Sequence, residues 1–393
     1  MSYFRFVRSA AIVLAAMGAM SGAQAQQEPI KVGILGQFSG PFALIGKQYR
    51  QGIEAYTATY SSKVGGREVE LVYRDIGGTN ASNAKRLAEE LIVRDRVSII
   101  GGFYLSPEPL AAAPVLTETK TPGVVFNGAA KTITEASPYI IRTGNTQFQT
   151  GYVEAEWAIK RGFKRAYVAV SDYAPGHDLL EAFKKRYTAL GGEILGEDKM
   201  PLNTVDYAPY VERVARAKPT LFNMFIPAGA PSVNMVKSLQ AQGMTGRKEI
   251  AIIGQAQLEE AVLNLFDDSV IGMYDALTYA IEGKGAENKK FKDAIRAKFG
   301  GAELPSYSGA VAWDGMHVIY QMIRAQQGKP FDGTTAINVA RGFSYEGARG
   351  NVRIEPDTRN ATLDMHIRRA VKGPDGKLKL EVADVVNGVK SLP

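Results

Sequence analysis

The chain has 393 residues, 45% of them hydrophobic, a formal net charge of +7, three histidines and no cysteine. Without cysteine there is neither a disulfide, a thiolate metal site nor a lipid-modified cysteine. The charge is modest for this length, and the clusters Lys184-Lys185-Arg186, Lys289-Lys290 and Arg368-Arg369 lack the aromatic interleaving of a nucleic-acid reader, so they read as solvated faces.

Met1–Ala25 predicts a secretory signal peptide: Arg5 and Arg8, an apolar run from Ala10 to Met20, then Ala23-Gln24-Ala25 in the small-x-small form of a cleavage site. Cleavage after Ala25 leaves a mature chain that begins at Gln26 and, with both arginines gone, carries a net charge of +5. The apolar run is too short to span a bilayer, and no later segment reaches about 18 uninterrupted apolar residues. At roughly 150 residues per domain, the mature length predicts two units.

The stretch Lys31 to Tyr56, KVGILGQFSGPFALIGKQYRQGIEAY, organises the rest of the chain. Ile30, Val32, Ile34 and Leu35 form an apolar run too brief for a helix, and Gly36 to Pro41 breaks it with turn formers. Tyr49, Ile53 and Tyr56 then recur at helical spacing among Lys47, Arg50, Gln51 and Glu54. Strand, loop and helix in this order open an α/β unit whose loop lies at the carboxyl end of its strand, where open parallel sheets bind ligands. It is not a phosphate cradle: Gly40 and Gly46 are one residue too far apart for a Walker loop, Gln48 follows Lys47 in place of Ser or Thr, and no GxGxxG follows the strand.

Further strands are predicted over Glu70–Asp75, Val97–Gly102 and Gly123–Asn127. Thr79 or Asn80 caps the helix between the first two, and Ser106 as N-cap with Pro107 at N1 starts a helix whose free N–H groups suit an anion. Ser137–Asn145 is extended and reads as a crossover to a second series: helix Gln149–Lys160, then strands Arg165–Ser171, Glu193–Glu197, Leu221–Ile226 and Ile250–Gly254, each followed by a small or polar loop. Asp206 suits the cap of a helix to Ala217. Gly272–Tyr279 returns the chain to the first series, with helices at Asn288–Phe299 and Gly309–Gln326, and Gly350–Val386 alternates as strands and hairpins do. Two α/β halves joined by extended straps imply a hinge.

Catalytic constellations are missing. There is no HExxH and no GxSxG, and His177, His317 and His366 are dispersed. His317 and His366 read as structural, and His177 as a capping or surface residue. The acid pairs Glu89-Glu90, Glu259-Glu260 and Asp267-Asp268 are adjacent and share no helix face, so they read as solvated. No cluster of metal ligands appears, and neither a metal nor another cofactor is expected.

The signal peptide, the opening stretch, SDYAPGHD, the strand with Pro-Ala-Gly-Ala-Pro and ARGNVRIEPDTRNATLDMHIR together resemble periplasmic solute-binding proteins of ABC importers, of the branched-chain amino acid (Leu/Ile/Val-binding) type, over nearly the whole mature chain. The resemblance implies an α/β, type I periplasmic binding protein: two Rossmann-like lobes with parallel central sheets, a three-segment hinge, a solute trapped between the lobes, and a membrane permease as partner of a monomer. The lobes are expected at 26–145 plus 278–347 and at 146–277 plus 348–393.

Relatives that bind amino acids hold the carboxylate with hydroxyl residues where Leu105 and Ala129-Ala130 stand here, pair the ammonium with an acid near Gln255 and Ala256, and carry an aromatic at Ile45. The loops here are instead apolar and aromatic: Ile45, Tyr104, Leu105, Ala129, Ala130, Tyr173, Pro175, Pro227, Ala228 and Tyr279. They resemble carriers of aromatic carboxylates such as hydroxybenzoates or cinnamates. Tyr104 and Tyr173 are then expected to pack on a ring, Ser106 and backbone N–H groups to take the carboxylate, and Gln255 or Gln257 a ring hydroxyl; both tyrosines equally fit ordinary packing at a lobe edge. Lys131 is read as a surface lysine that could pair the carboxylate. The alternatives are a branched-chain amino acid, short amide or urea carrier, or a ligand sensor on the same fold.

Overall fold

The computed structural model describes residues 28–391, Ala256 excepted; the signal peptide read at Met1–Ala25 lies outside the described residues. Two sheets carry the chain. In the first, β1 (Ile30–Gly36), β3 (Arg67–Asp75), β4 (Ile99–Gly102), β5 (Gly123–Val125) and β6 (Ile140–Arg142) run parallel in the order β3-β1-β4-β5-β6. The short β2 (Lys63–Val64) pairs antiparallel with the free edge of β3. The second has β8 (Glu193–Met200), β7 (Arg165–Ser171), β9 (Leu221–Phe225), β10 (Ala251–Gly254) and β11 (Tyr274–Leu277) parallel in that spatial order. It continues through antiparallel β14 (Ala361–Lys372), which also pairs β15 (Leu378–Val389), to β13 (Gly350–Ile354) and β12 (Ser344–Gly347).

Strands β4, β5, β9 and β10 are buried along their whole length, which is why they read as short unbroken apolar runs: helices cover both faces of each sheet. On one face of the first sheet lie α1 (Ala43–Tyr60), α8 (Ala286–Phe299) and α9 (Tyr307–Arg324); on the other, α2 (Ala81–Glu89) and α3 (Pro107–Thr119). Helices α1 and α9 touch backbone to backbone, since a Cβ on Gly52 would lie 2.1 Å from the Gly309 carbonyl oxygen. The second sheet is sandwiched between α4 (Gln147–Lys160) with α5 (Ala174–Ala189) and α6 (Ala208–Ala217) with α7 (Ala230–Ala241). Asn80 caps α2 through Ser82 and Asn83 N–H, and Thr146 with Gln149 forms a capping box that starts α4 two residues earlier than the apolar pattern suggests.

Several local readings shift. Ser106 stands at the N-cap of α3 without a side-chain cap bond, and the loop read over Asp172–His177 is already helix from Ala174. Helix α10 (Gly333–Ala340) and β12 had no clear period in the sequence. Glu259, Glu260 and Arg368 are not solvated: Arg368 is 1% exposed and clamps Asp275 at 2.7 Å and Glu260 at 3.1 Å.

Three segments pass between the two cores. The expectation put the last passage at 347–348, but Val352, Ile354, Ala361 and Leu363 pack in the first core while Met365 and Ile367 pack in the second. The passage therefore falls inside β14, at the Leu363–Met365 register irregularity against β15. Arg349, fully buried, ties the first two passages to α9. Its Nε donates to Asp314 Oδ2 on α9 at 2.7 Å, Nη1 to Thr278 Oγ1 at 3.3 Å and Nη2 to the Thr143 carbonyl at 2.8 Å.

Candidate ligand-binding site

Strand order reverses at β1 in the first sheet, between β3 and β4, and at β7 in the second, between β8 and β9. At such switch points neighbouring loops diverge and leave a crevice at the carboxyl ends. The two crevices face each other across one gap.

The first sheet contributes the loop after β4. Gly102, at φ +110°, would place a Cβ 2.1 Å from the Leu35 carbonyl oxygen, and Phe103 follows at φ +62°. Two consecutive left-handed residues, the first possible only for glycine at that distance, throw Tyr104 and Leu105 over the gap. Asn127 and Ala129 follow β5, and Tyr307 and Ser308 form the first turn of α9 behind the Ser306 cap, whose Oγ accepts the Gly309 N–H at 3.0 Å. The second sheet contributes Tyr173 after β7, Phe225 at the end of β9 with Ile226 to Ala228 after it, Gln255 after β10, and Ala276 and Leu277 of β11. Asn145 and Gln147, beside the first passage between cores, complete the lining.

Aromatic rings form the walls. Tyr104 packs 5.4 Å from Phe42, and Tyr173 stacks on Phe225 at 5.9 Å with planes 13° apart. The Tyr104 hydroxyl donates to the Ala228 carbonyl at 2.8 Å, a bond that runs from the first sheet's loop to the second's and shuts the gap. A second contact across it joins Lys131 N–H to the Asp178 carboxylate at 2.8 Å, while Lys131 Nζ pairs with Glu181 at 2.9 Å. Burial raises the pKa of Tyr104 and Tyr173 far above that of a free phenol and pushes Tyr307 up to about 12, so all three stay neutral hydroxyls near pH 7.

The polar lining is uncharged among the described residues. The Tyr307 hydroxyl lies 3.0 Å from Asn127 Oδ1 and 3.2 Å from Asn145 Oδ1. Gln255 Nε2 donates to Glu154 Oε1 at 2.5 Å, and Asn223 Nδ2 to Glu154 Oε2 at 2.7 Å. Burial raises the Glu154 pKa, while the two amide N–H groups it accepts favour its ionised form. Gln147 Oε1 and Gln255 Oε1 are buried and have no hydrogen-bond partner.

Of the residues expected from sequence, Tyr104, Leu105, Ala129, Tyr173, Pro227, Ala228 and Gln255 line the gap. The others sit behind it. Ile45 and Tyr279 lie in the first core, and Pro175 is buried in the first turn of α5. Gln257 turns back to give its Nε2 to the Ile226 carbonyl at 3.0 Å. The Ser106 hydroxyl accepts the N–H groups of Ala129 and Ala130, both at 3.0 Å, and so pins two loops together. The start of α3 is already filled by its own Glu108, whose carboxyl takes Tyr104 N–H at 2.7 Å and Gln37 Nε2 at 2.6 Å. Burial moves that carboxyl to about 7. Asn127, Asn145, Gln147, Phe225, Ile226, Ala276, Leu277, Tyr307 and Ser308 had no local signal beyond the Ser306 cap and the strand ends.

A family model described as periplasmic binding protein matches residues 29–376. This chain belongs to the periplasmic binding protein family. The binding protein is 35% identical over 371 residues to Leu/Ile/Val-binding protein homolog 6 of Brucella melitensis, covering 94% of this chain and 95% of the relative. It is also similar to an ABC transporter solute-binding protein of Rhodopseudomonas palustris HaA2, solved with p-hydroxybenzoic acid, at 37% identity, TM-score 0.88, and 92% and 98% coverage. A counterpart from Rhodopseudomonas palustris BisB5, solved with 3,4-dihydroxybenzoic acid, matches at 35% identity, TM-score 0.87 and the same coverage. The type I two-sheet fold and the family resemblance read from the sequence both hold.

Proposed function

We propose that this protein serves an ABC importer in the periplasm: it captures a small hydroxylated aromatic carboxylate in the gap and, as a monomer, delivers it unaltered to a membrane permease. One observation carries this reading. The gap is walled by Tyr104, Tyr173, Phe225 and Leu277 and edged with amides and hydroxyls, with no charged side chain among the described residues. A flat ring with polar groups at its rim suits that surface. A free amino acid does not, because its ammonium would be buried without an acid, at a cost of several kcal/mol. The hydroxybenzoates held by the two Rhodopseudomonas relatives support the same ligand class.

In this reading Tyr104 and Tyr173 pack on the ring. The carboxylate is taken by the first turn of α9, where the positive end of an 18-residue helix, the Ser308 hydroxyl and the Asn127 amide converge. Gln147 and Gln255 meet ring hydroxyls. The halves expected from sequence, with the last passage moved into β14, close about the straps that Arg349 joins.

A thermal-shift panel of hydroxybenzoates, cinnamates, branched-chain amino acids and small amides, on protein first unfolded and refolded to strip bound solute, tests the reading. A ligand at 100 times its dissociation constant adds about 2.7 kcal/mol, a shift of a few degrees. Hydroxybenzoates are expected to give the largest shift. Stabilisation by leucine or valine with none by any aromatic acid would refute the assignment.

A further inference from the structure

Glu154 does not reach the gap, yet it decides which face of Gln255 does. Its carboxyl is fully buried on α4 and holds two amides from neighbouring strand ends, Asn223 Nδ2 on β9 and Gln255 Nε2 after β10. With its NH2 group engaged there, Gln255, 4% exposed, is left with a buried carbonyl oxygen that no other group satisfies, in a side chain that lines the gap. A carbonyl of this kind, without a donor from the protein, favours a ligand that brings a proton to it.

We propose that Glu154 is a positioning residue for ligand choice: by anchoring the Gln255 amide nitrogen it presents the Gln255 carbonyl as an acceptor, so that the site selects ring hydroxyls over ring substituents that cannot donate. The proposal rests on the gap being the site of an aromatic carboxylate, and it adds a residue outside the lining that sets the preference. Gln147, whose own orphaned carbonyl also borders the gap, is a second acceptor and would let a ligand with two hydroxyls satisfy both.

The experiment compares the tighter binder of 3- and 4-hydroxybenzoate with its fluorobenzoate isomer, which has nearly the same size and no proton to give. Dissociation constants are measured by calorimetry on wild type, Glu154→Gln, Gln255→Met and the double variant. Wild type is expected to prefer the hydroxyl compound at least tenfold. Glu154→Gln, whose new amide can donate to Gln255 and turn its NH2 group to the gap, is expected to cut that ratio at least fivefold. Gln255→Met cuts it similarly, and Glu154→Gln added to Gln255→Met changes it no further. A purely structural role for Glu154 would weaken both ligands alike and leave the ratio intact, and that result overturns the proposal. If neither compound binds wild type, the ligand reading itself fails.

Discussion

At the scale of single residues, the site is built from neutral groups whose directions are fixed by neighbours outside it. Tyr104 is the clearest case: its ring belongs to the wall, and its hydroxyl reaches the Ala228 carbonyl on the opposing loop at 2.8 Å. That bond exists only while the gap is shut, so it should slow ligand escape rather than speed capture. Tyr104→Phe is expected to lose roughly 0.5–1.5 kcal/mol of binding, about two- to twelvefold, carried by the dissociation rate. Stopped-flow traces in which only the association rate changed would contradict the latch. The same scale shows why loop residues were legible only in alternation. Leu105 faces the gap and Ser106 faces Ala129 and Ala130; Gln255 lines the gap and Gln257 folds back onto Ile226. The sequence marks such loops through their small and polar residues, but which neighbour points inward depends on partners far along the chain.

Among elements, the decisive feature is how two of the three passages between cores are held. Arg349 bonds Thr143, Thr278 and Asp314, one group from each of two passages and one from α9, while Asp314 also accepts the Ala348 N–H at 2.6 Å. Removing one member of a fully buried pair leaves the other charge uncompensated, which costs about 3–5 kcal/mol. Arg349→Met is therefore expected to lower the urea midpoint sharply, and Arg349→Met combined with Asp314→Asn to recover part of the loss. An Arg349→Met protein as stable as wild type would show that the passages do not depend on this staple. Extended segments such as Ser137–Asn145 and Gly272–Tyr279 were recognisable as passages because they break helical period. The third was misplaced because β14 continues as one strand across both cores, so no change of pattern announces it.

For the whole molecule, buried titratable groups set an unusual pH response. Burial raises Glu108 to about 7 and Glu259 to about 8. Their unfolded values lie near 4.3, so as pH rises toward 8 the unfolded chain has lost protons that the folded protein still holds, and stability falls. His366 acts oppositely: burial and then the Arg368 charge pull it to about 4, so its effect is a gain of stability as pH rises from about 4 to 6.5. The two trends oppose each other below pH 6.5, and above it the carboxyls act alone. Urea midpoints of ligand-free protein are expected to fall between pH 6.5 and 8, with a shallower fall in Glu259→Gln. A rise over that window would mean that these carboxyls are already ionised in the folded state.

The sequence by itself determined the two α/β series, the strands that end in loops and the aromatic character of the loops, because periodicity and turn chemistry are local and each is repeated many times. Only the tertiary structure decided which residues meet. Tyr307 and Ser308 reach the gap from the start of α9, and Glu154 reaches Gln255 from α4, because the helices and strand ends that carry them pack side by side, an adjacency with no local signature. The same packing buried Glu259, Glu260 and Arg368, which looked solvated one at a time, and gave the paired Arg368 and Glu260 the partners that make their burial tolerable.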